Sequence, residues 1–361
     1  MTTMNECLPS GIEENGSSEK SIVFHVLVVG AGLSGLSTAI GLRLAGHRVT
    51  VLEGASQFGE FGVGIQVPPN CVKALKKLGV FENVAEQATW PLSITMKRWK
   101  DGQLLGSTPL GSDMEEKYNN PYLLTYRADL HQSLLNRCRE VGAEVFANSF
   151  VQSVNADHPS VKLVDGSTLN ADILVGADAP PAEIRTIFDG WDPLIHRLLE
   201  KVSTCRQWKT SELEEIPRWI SESGKIVLVG DSAHAMLPFL AQGAAMAIED
   251  SVVLVECLSS CKTVEDAPDR LRLYETTRRE RVRIIKSGAR QNATVWHCAD
   301  GPFQEARDAI IRYGKDLPTD GTLSHEEAVA ANRWNNPAFQ EWLFGFDAVL
   351  NAKEIILKRE L

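Results

Sequence analysis

The hydrophobic positions near the start of the chain first follow the period of a buried strand and then that of a helix. Residues 26–29 form an unbroken apolar run that ends at Gly30, as strands of a parallel sheet do when both faces are covered. Over residues 36–44 the apolar positions recur at helical spacing, and residues 48–53 return to a strand-like run. The pattern therefore predicts a βαβ unit.

The same patterns continue towards the C-terminus. They predict a helix over 69–78, a hairpin over 91–110, a helix over 128–141, strands over 172–176 and 225–231, and a long helix over 242–256. Apolar strands that alternate with helices are typical of an α/β fold built on a mainly parallel sheet. We therefore expect a Rossmann-like α/β domain with a C-terminal helical region.

Glycines of the first motif, Gly30-Ala-Gly32-Leu-Ser-Gly35, lie between the first strand and the first helix. Gly30 permits the tight turn, Gly32 lets the backbone approach a pyrophosphate, and Gly35 lets the helix pack on the strand. The helix N-terminus would face the phosphate charge, and Glu53, at the end of the next strand, can accept hydrogen bonds from a ribose. This context predicts a dinucleotide site but does not separate FAD from NAD.

A second motif follows the strand predicted over 225–231. It reads GDSAH over residues 230–234, continues with Pro238, and ends in QGAAMAIED over residues 242–250. Asp231 at the strand end can bond a polyol hydroxyl, and the new helix offers free N–H groups to an electron-rich acceptor. A long cofactor that touches both helix starts would fit the two motifs together.

With these motifs the sequence resembles the FAD-dependent aromatic-ring hydroxylases, the salicylate-hydroxylase-like monooxygenases. That family carries GDAAH, a proline, QG and then ED in this order. GVGIQ over residues 62–66 is similar to the family's segment beside the flavin, and YRADL over residues 126–130 is similar to its YRxDL segment. The resemblance covers about residues 25–295 and implies an FAD-binding Rossmann-like fold.

The resemblance also implies where one FAD would be bound. Glu53 would bind the adenosine ribose, and Arg127 and Asp231 would bind the linker region of FAD. Other residues would lie beside the flavin, namely Gly62, Val63, Gly64, Pro238, Gln242, Gly243 and Ala244. The implied reaction reduces FAD with NADH or NADPH and transfers one oxygen atom of O2 to an electron-rich ring. The flavin carries this chemistry, so no protein nucleophile is predicted. His234 is either a general base or a packed, hydrogen-bonded structural histidine, and we favour the latter.

The sequence departs from the family after the strand over 172–176. The family reads GADG there, whereas residues 176–179 read GADA, with Ala179 in place of the second glycine of a segment assigned to FAD and nicotinamide contacts. Only 52 residues then separate Asp178 from Asp231. We infer that a block of about a hundred residues, the size of a small domain, is missing from the substrate-domain sheet.

This departure sets the predicted domain organisation. The chain would consist of a disordered arm (1–24), three parts of the FAD-binding domain (25–90, 126–179 and 225–300), a remnant of the substrate domain (91–125), a shortened connection (180–224) and a C-terminal helical region (301–361). A lone two-stranded hairpin is marginally stable, and apolar surface near Trp90 would be exposed and favour self-association. An open, wet site would release hydrogen peroxide instead of hydroxylating a substrate.

Composition and charge indicate which kinds of partner to expect. The formal net charge is −10, so nucleic acid is an unexpected partner, and the arginine-rich stretch over residues 278–283 has the spacing of a solvated helix face. No apolar run is long enough for a membrane span. Seven scattered cysteines, without metal-site spacing or a signal sequence, predict a reduced, cytoplasmic protein without bound metal.

Three functions remain open from the sequence. The first is an FAD-dependent monooxygenase that hydroxylates an aromatic or polyketide-like small molecule with NAD(P)H and O2, in catabolism or secondary metabolism. The second is a non-catalytic or uncoupled flavin-binding remnant or partner subunit. The third is an NAD-dependent dehydrogenase, against which the block over residues 231–250 argues.

Overall fold

The structure is a computed structural model that describes residues 22–58, 64–155, 157–177, 212–313, 331 and 333–360. The described strands are β1 (His25–Val29), β2 (Arg48–Leu52), β3 (Gly64–Val67), β4 (Ser93–Lys97), β5 (Leu104–Pro109), β6 (Leu123–Tyr126), β7 (Glu144–Phe146), β8 (Val151–Asn155), β9 (Ser160–Leu163), β10 (Thr168–Asn170), β11 (Ile173–Gly176) and β12 (Ile226–Leu228).

The described helices cover much of the rest of these ranges. They are α1 (Leu33–Leu44), α2 (Pro69–Leu78), α3 (Phe81–Gln87), α4 (Gly111–Tyr118), α5 (Arg127–Glu140), α6 (Asp231–His234), α7 (Gly243–Ser259), α8 (Ala267–Trp296), α9 (Pro302–Tyr313), α10 (Pro337–Phe344) and α11 (Ala348–Glu360), with short 3₁₀ turns at Val264–Asp266 and Arg333–Asn335.

A parallel sheet with the strand order β12-β11-β1-β2-β7 forms the centre of the fold. Its middle strand β1 is buried on both faces, because Val26 and Val28 pack into one core cluster and Leu27 packs into another. This explains the unbroken apolar run in the sequence. The predicted βαβ unit and α/β fold are confirmed.

Helix α1 connects the sheet to the rest of the core. It packs against α5 and α7, and α7 in turn packs against α2, α8 and α11. Phe24, the last residue of the predicted N-terminal arm, is buried in this core and therefore belongs to the folded domain; residues 1–21 lie outside the described residues. The strand predicted over 225–231 ends earlier, at Leu228, because Gly230 turns the chain with a φ of 60°.

The predicted hairpin is present as the two-stranded antiparallel pair of β4 and β5. Contrary to the expectation of a lone hairpin, α9 supports it: Leu105 packs in a cluster with Ile310 and Ile311. Arg98 on the hairpin forms ion pairs with Asp300 and Asp308, with N–O distances of 2.8 and 3.2 Å. Helix α9 therefore packs against this sheet at β5.

Apolar side chains remain exposed around the hairpin, as the sequence predicts. Trp90 is 44% exposed and Leu92 is 83% exposed. None of the described helices is long and apolar enough to cross a membrane.

Candidate functional site

The glycine turn between β1 and α1 has the geometry that the first motif predicts. A Cβ atom at Gly35 would lie 2.0 Å from the carbonyl oxygen of Gly30, so only glycine allows the helix to approach the strand this closely. At Gly32 a Cβ would meet only the Ala177 carbonyl oxygen, at 3.9 Å. Gly35 is therefore required by packing, whereas the space beside Gly32 is open.

Glu53 is fixed beside this turn by backbone groups. Its Oε2 accepts a hydrogen bond from the Ala31 N–H at 2.8 Å, and its Oε1 accepts one from the Ala55 N–H at 2.8 Å. Each carboxylate oxygen can accept a further hydrogen bond. The carboxylate is thus held in place with capacity left for hydroxyl donors.

The first helix presents its N-terminus at the turn. No side chain caps α1, whose N-cap residue is Gly32, and the first N–H groups of a helix have no partner within it. The start of α5 lies close by, because His131 donates from Nε2 to the Ala31 carbonyl oxygen at 2.7 Å. Arg127 is the first residue of α5, one turn earlier.

Strand pairing brings two further predicted segments together. Gly64 pairs with Tyr126 in the antiparallel register of β3 and β6, so Gly64 lies across from the residue that precedes Arg127. Gly62 and Val63, predicted in the same segment, lie outside the described residues, as do Asp178 and Ala179.

The second motif folds against the first helix. A Cβ at Gly230 would lie 2.8 Å from the Ser34 Cβ and 3.1 Å from the Ala247 Cβ, so the turn is wedged between α1 and α7. Asp231 follows as the first residue of α6, with an exposed side chain. The turn therefore places Asp231 near the start of α1.

At the start of α7, Gln242 is buried and no side chain caps the helix, while Gly243 and Ala244 are half-buried. Asn70, in the first turn of α2, donates to Gln242 Oε1 at 3.0 Å. This contact joins the segment around Gly64 to the start of α7. Pro238, on the loop before α7, is exposed.

A buried network of charges lies behind this surface. On α7, Glu249 and Asp250 are fully buried; Arg278 on α8 bonds both, at 2.8 and 2.7 Å, and Arg281 bonds Glu249 through two nitrogens at 2.9 Å. Burial raises the pKa of each carboxyl, but the adjacent cations outweigh burial and hold both pKa values below their usual range. The two acids are therefore charged and paired.

His234 belongs to the same network. Its ring is buried and donates a hydrogen bond from Nε2 to Asp250 Oδ2. The centroids of the His234 and Trp219 rings are 5.1 Å apart. The expectation of a packed, hydrogen-bonded histidine is confirmed. Asp250 Oδ2 also accepts from the Gly230 N–H at 3.0 Å, so the network holds the turn before Asp231.

The interpretation of residues 278–283 as a solvated helix face is wrong for Arg278 and Arg281. It holds for Arg283, which pairs with Glu280 at an exposed position. The sequence patterns do not predict that these residues form one buried network. Two adjacent acids in the apolar run of α7, with arginines three residues apart on α8, were the available signal.

A family model described as "FAD binding domain" matches residues 24–187 and 206–288. The chain belongs to this FAD-binding family. Its match is interrupted at residues 188–205, inside the interval where the sequence predicts a missing block.

Relatives of this FAD-binding chain are named as monooxygenases. It is 30% identical to the FAD-dependent monooxygenase OpS4 of Beauveria bassiana, over 93% of this chain and 98% of that protein. It is 28% identical to the 3-amino-4-hydroxybenzoate 2-monooxygenase PtnB3 of Streptomyces platensis, over 90% and 96%. An HpxO variant of Klebsiella pneumoniae, solved in complex with FAD, has the same fold, with a TM-score of 0.69, 22% identity and coverage of 80% and 94%.

The described residues fit FAD. Open space beside Gly32, the uncapped start of α1 and the held carboxylate of Glu53 suit a pyrophosphate and a ribose. The uncapped start of α7 suits an electron-rich group of the ring system. Bound FAD supplies the redox and oxygen-transfer chemistry of this monooxygenase family.

Proposed function

We propose that this monooxygenase uses NAD(P)H and O2 to hydroxylate a small aromatic or polyketide-like substrate, with FAD held by the residues predicted from the sequence. The observation that carries the proposal is the convergence of four separate segments. The glycine turn, the Gly64 segment, the Asp231 turn and the start of α7 are joined by contacts between described residues. In this arrangement the four segments bind successive parts of the FAD molecule and orient it.

The names of the relatives support an aromatic substrate. PtnB3 is named for 3-amino-4-hydroxybenzoate, and other relatives, 26–28% identical, are named 3-hydroxybenzoate 6-hydroxylases. A hydroxylated ring is electron-rich, which is the property that oxygen transfer from a flavin requires. The match to an FAD-binding family argues against the NAD-dependent dehydrogenase.

An uncoupled or non-catalytic flavin protein is the second candidate, and two observations favour it. The alignment with OpS4 extends over 429 positions although this chain has 361 residues, so that relative has residues without a counterpart here. Among the described residues, the hairpin also forms a sheet of only two strands, and Trp90 and Leu92 beside it are exposed. We propose that the missing block belongs to the substrate-domain sheet and that its loss leaves the reactive side of the site wet and favours self-association.

The ratio of hydroxylated product to NAD(P)H consumed distinguishes these candidates. We expect the flavin-loaded protein to form hydrogen peroxide as the main product of NAD(P)H oxidation and the hydroxylated ring as the minor product, measured with phenols and hydroxybenzoates as trial substrates. Inserting the sheet of an intact relative after Ala179 should raise the ratio. A high ratio in the unmodified chain would show that its pocket is closed, and the proposed loss of cover would be wrong.

Glu53→Ala and Asp231→Ala should each lower FAD affinity. Each removes a carboxylate that can form a charge-assisted hydrogen bond, worth about 1.5–3 kcal/mol, or about ten- to a hundredfold in Kd. Quenching of FAD fluorescence by the apoprotein measures Kd. Asp113→Ala is the matched control for Asp231→Ala, because Asp113 and Asp231 are both exposed acids in the first turn of a helix. Equal affinity in all three variants would contradict the predicted roles.

We also propose a reducing, cytoplasmic location. The described cysteines, Cys71, Cys138, Cys257, Cys261 and Cys298, are free thiols, whereas Cys7 and Cys205 lie outside the described residues. Burial raises the pKa of Cys138 and of Cys257 to about 12, which keeps both thiols protonated and unreactive. The described residues contain no cluster that could hold a metal ion.

A further inference from the structure

We propose that the side-chain amide of Asn70 is a positioning group that sets the start of α7 against the segment beside the flavin. The inference rests on the proposed function, because it concerns how the chain shapes its FAD site. Asn70 would act on the cofactor through Gln242 and not by touching it.

The geometry of this amide is specific. Asn70 is 2% exposed, and its Nδ2 lies 3.0 Å from Gln242 Oε1 and 2.7 Å from Glu249 Oε1. An amide nitrogen has two N–H groups, so both acceptors can be satisfied at once. A carboxylate at position 70 would face Glu249 with like charge, and an apolar side chain would leave Gln242 Oε1 without this donor.

The contact joins parts of the chain that are distant in sequence. Asn70 is in the first turn of α2, directly after β3, which begins at Gly64, and Gln242 immediately precedes Gly243 and Ala244. The two partners are 172 residues apart. The amide therefore fixes the spacing between two segments that would both face the flavin ring.

On its other side the amide is anchored to the charged network. Glu249 is held by Arg278 and Arg281, and through Arg278 it connects to Asp250, which accepts from the Gly230 N–H. The turn before Asp231 is thus part of the same hydrogen-bonded network. Because Arg281 also bonds Glu249 Oε1, removing the amide leaves Glu249 paired, while Gln242 loses this donor.

Two buried polar atoms of the pair, Asn70 Oδ1 and Gln242 Nε2, have no hydrogen-bond partner among the described residues. An unsatisfied buried polar group costs stability, and each such group in a native structure calls for an explanation. The hydrogen bonds between described residues therefore leave each of these two amides only partly satisfied.

A double-mutant cycle tests the inference. The variants are Asn70→Leu, Gln242→Leu, the double variant and Asn83→Leu, a control with an exposed asparagine on α3; the readouts are FAD Kd and the melting temperature of the apoprotein. We expect Asn70→Leu to raise the Kd for FAD about tenfold. The Kd of the double variant should not exceed that of the single variant with the higher Kd, because the effects of coupled residues are not additive. Asn83→Leu should leave Kd unchanged.

Other outcomes would overturn the inference. An unchanged Kd with a lowered melting temperature would make Asn70 purely structural, and fully additive losses would show that it does not act through Gln242. If Asn70→Leu does not fold, Asn70→Ala removes the same donor with a smaller side chain and should also raise Kd; a Kd equal to that of the wild type would then contradict the inference. If the wild-type protein binds no FAD, the proposed function itself fails, which is a distinct result.

Discussion

Gly32→Ala should fold as the wild-type protein does and bind FAD about 10- to 100-fold more weakly. Gly32 has φ −73° and ψ −174°, which alanine adopts without strain, and its Cβ would meet only the Ala177 carbonyl oxygen at 3.9 Å. The added methyl group would instead occupy the space through which a pyrophosphate approaches the backbone. Thermal unfolding of the apoprotein and FAD titration measure the two effects separately.

Gly35→Ala is the matched comparison on the same turn. Its Cβ would lie 2.0 Å from the Gly30 carbonyl oxygen, a distance at which the strand and the helix must move apart. This variant should lose folding stability and FAD binding together. If Gly32→Ala bound FAD with the affinity of the wild type, the pyrophosphate would not approach this turn.

Arg278→Ala should have the largest effect on stability, about 3–5 kcal/mol of the free energy of unfolding, because it leaves buried carboxylates without their cation. Arg278 is 0% exposed and bonds Glu249 and Asp250, which are also fully buried. Arg281 still bonds Glu249 in this variant, so Asp250 is affected more. Among the described residues, Asp250 keeps its hydrogen bonds from His234 and from the Gly230 N–H. Denaturant unfolding measures the loss.

Arg272→Ala on the same helix is its control. The Arg272 side chain is exposed and pairs with an exposed Asp269, and such pairs contribute about 0–1 kcal/mol. A loss of stability in Arg278→Ala no greater than in Arg272→Ala would show that the buried network does not hold α7 to α8.

Local sequence patterns were sufficient for the parts of the fold that depend on neighbours along the chain. The run over residues 26–29 predicted β1, because a strand covered on both faces has no polar position to alternate. The glycine motif predicted the turn, because each glycine has a steric reason that is local to a strand and the next helix.

Contacts between distant residues were not predictable in the same way. Arg278 and Arg283 lie in one arginine-rich stretch, yet the first is buried and the second exposed, because the direction of each side chain is set by the packing of α8 on α7. The support of the hairpin by α9 was missed for the same reason: nothing near Leu105 in sequence indicates Ile310 or Ile311.

Within the candidate site, the sequence identified the segments but not what joins them. Glu53 and Asp231 stand out as acids at strand ends, whereas Asn70 has no local pattern that marks it. Its role depends on Gln242 and Glu249, which are 172 and 179 residues away. A single sequence contains no measure of such pairings.

The central claim is that the converging segments bind one FAD per chain. The most direct test is the visible absorption spectrum of the purified protein, followed by titration of the apoprotein with FAD. We expect flavin absorbance and saturation at one FAD per chain. Protein that shows no flavin absorbance, even after reconstitution with excess FAD, would contradict it.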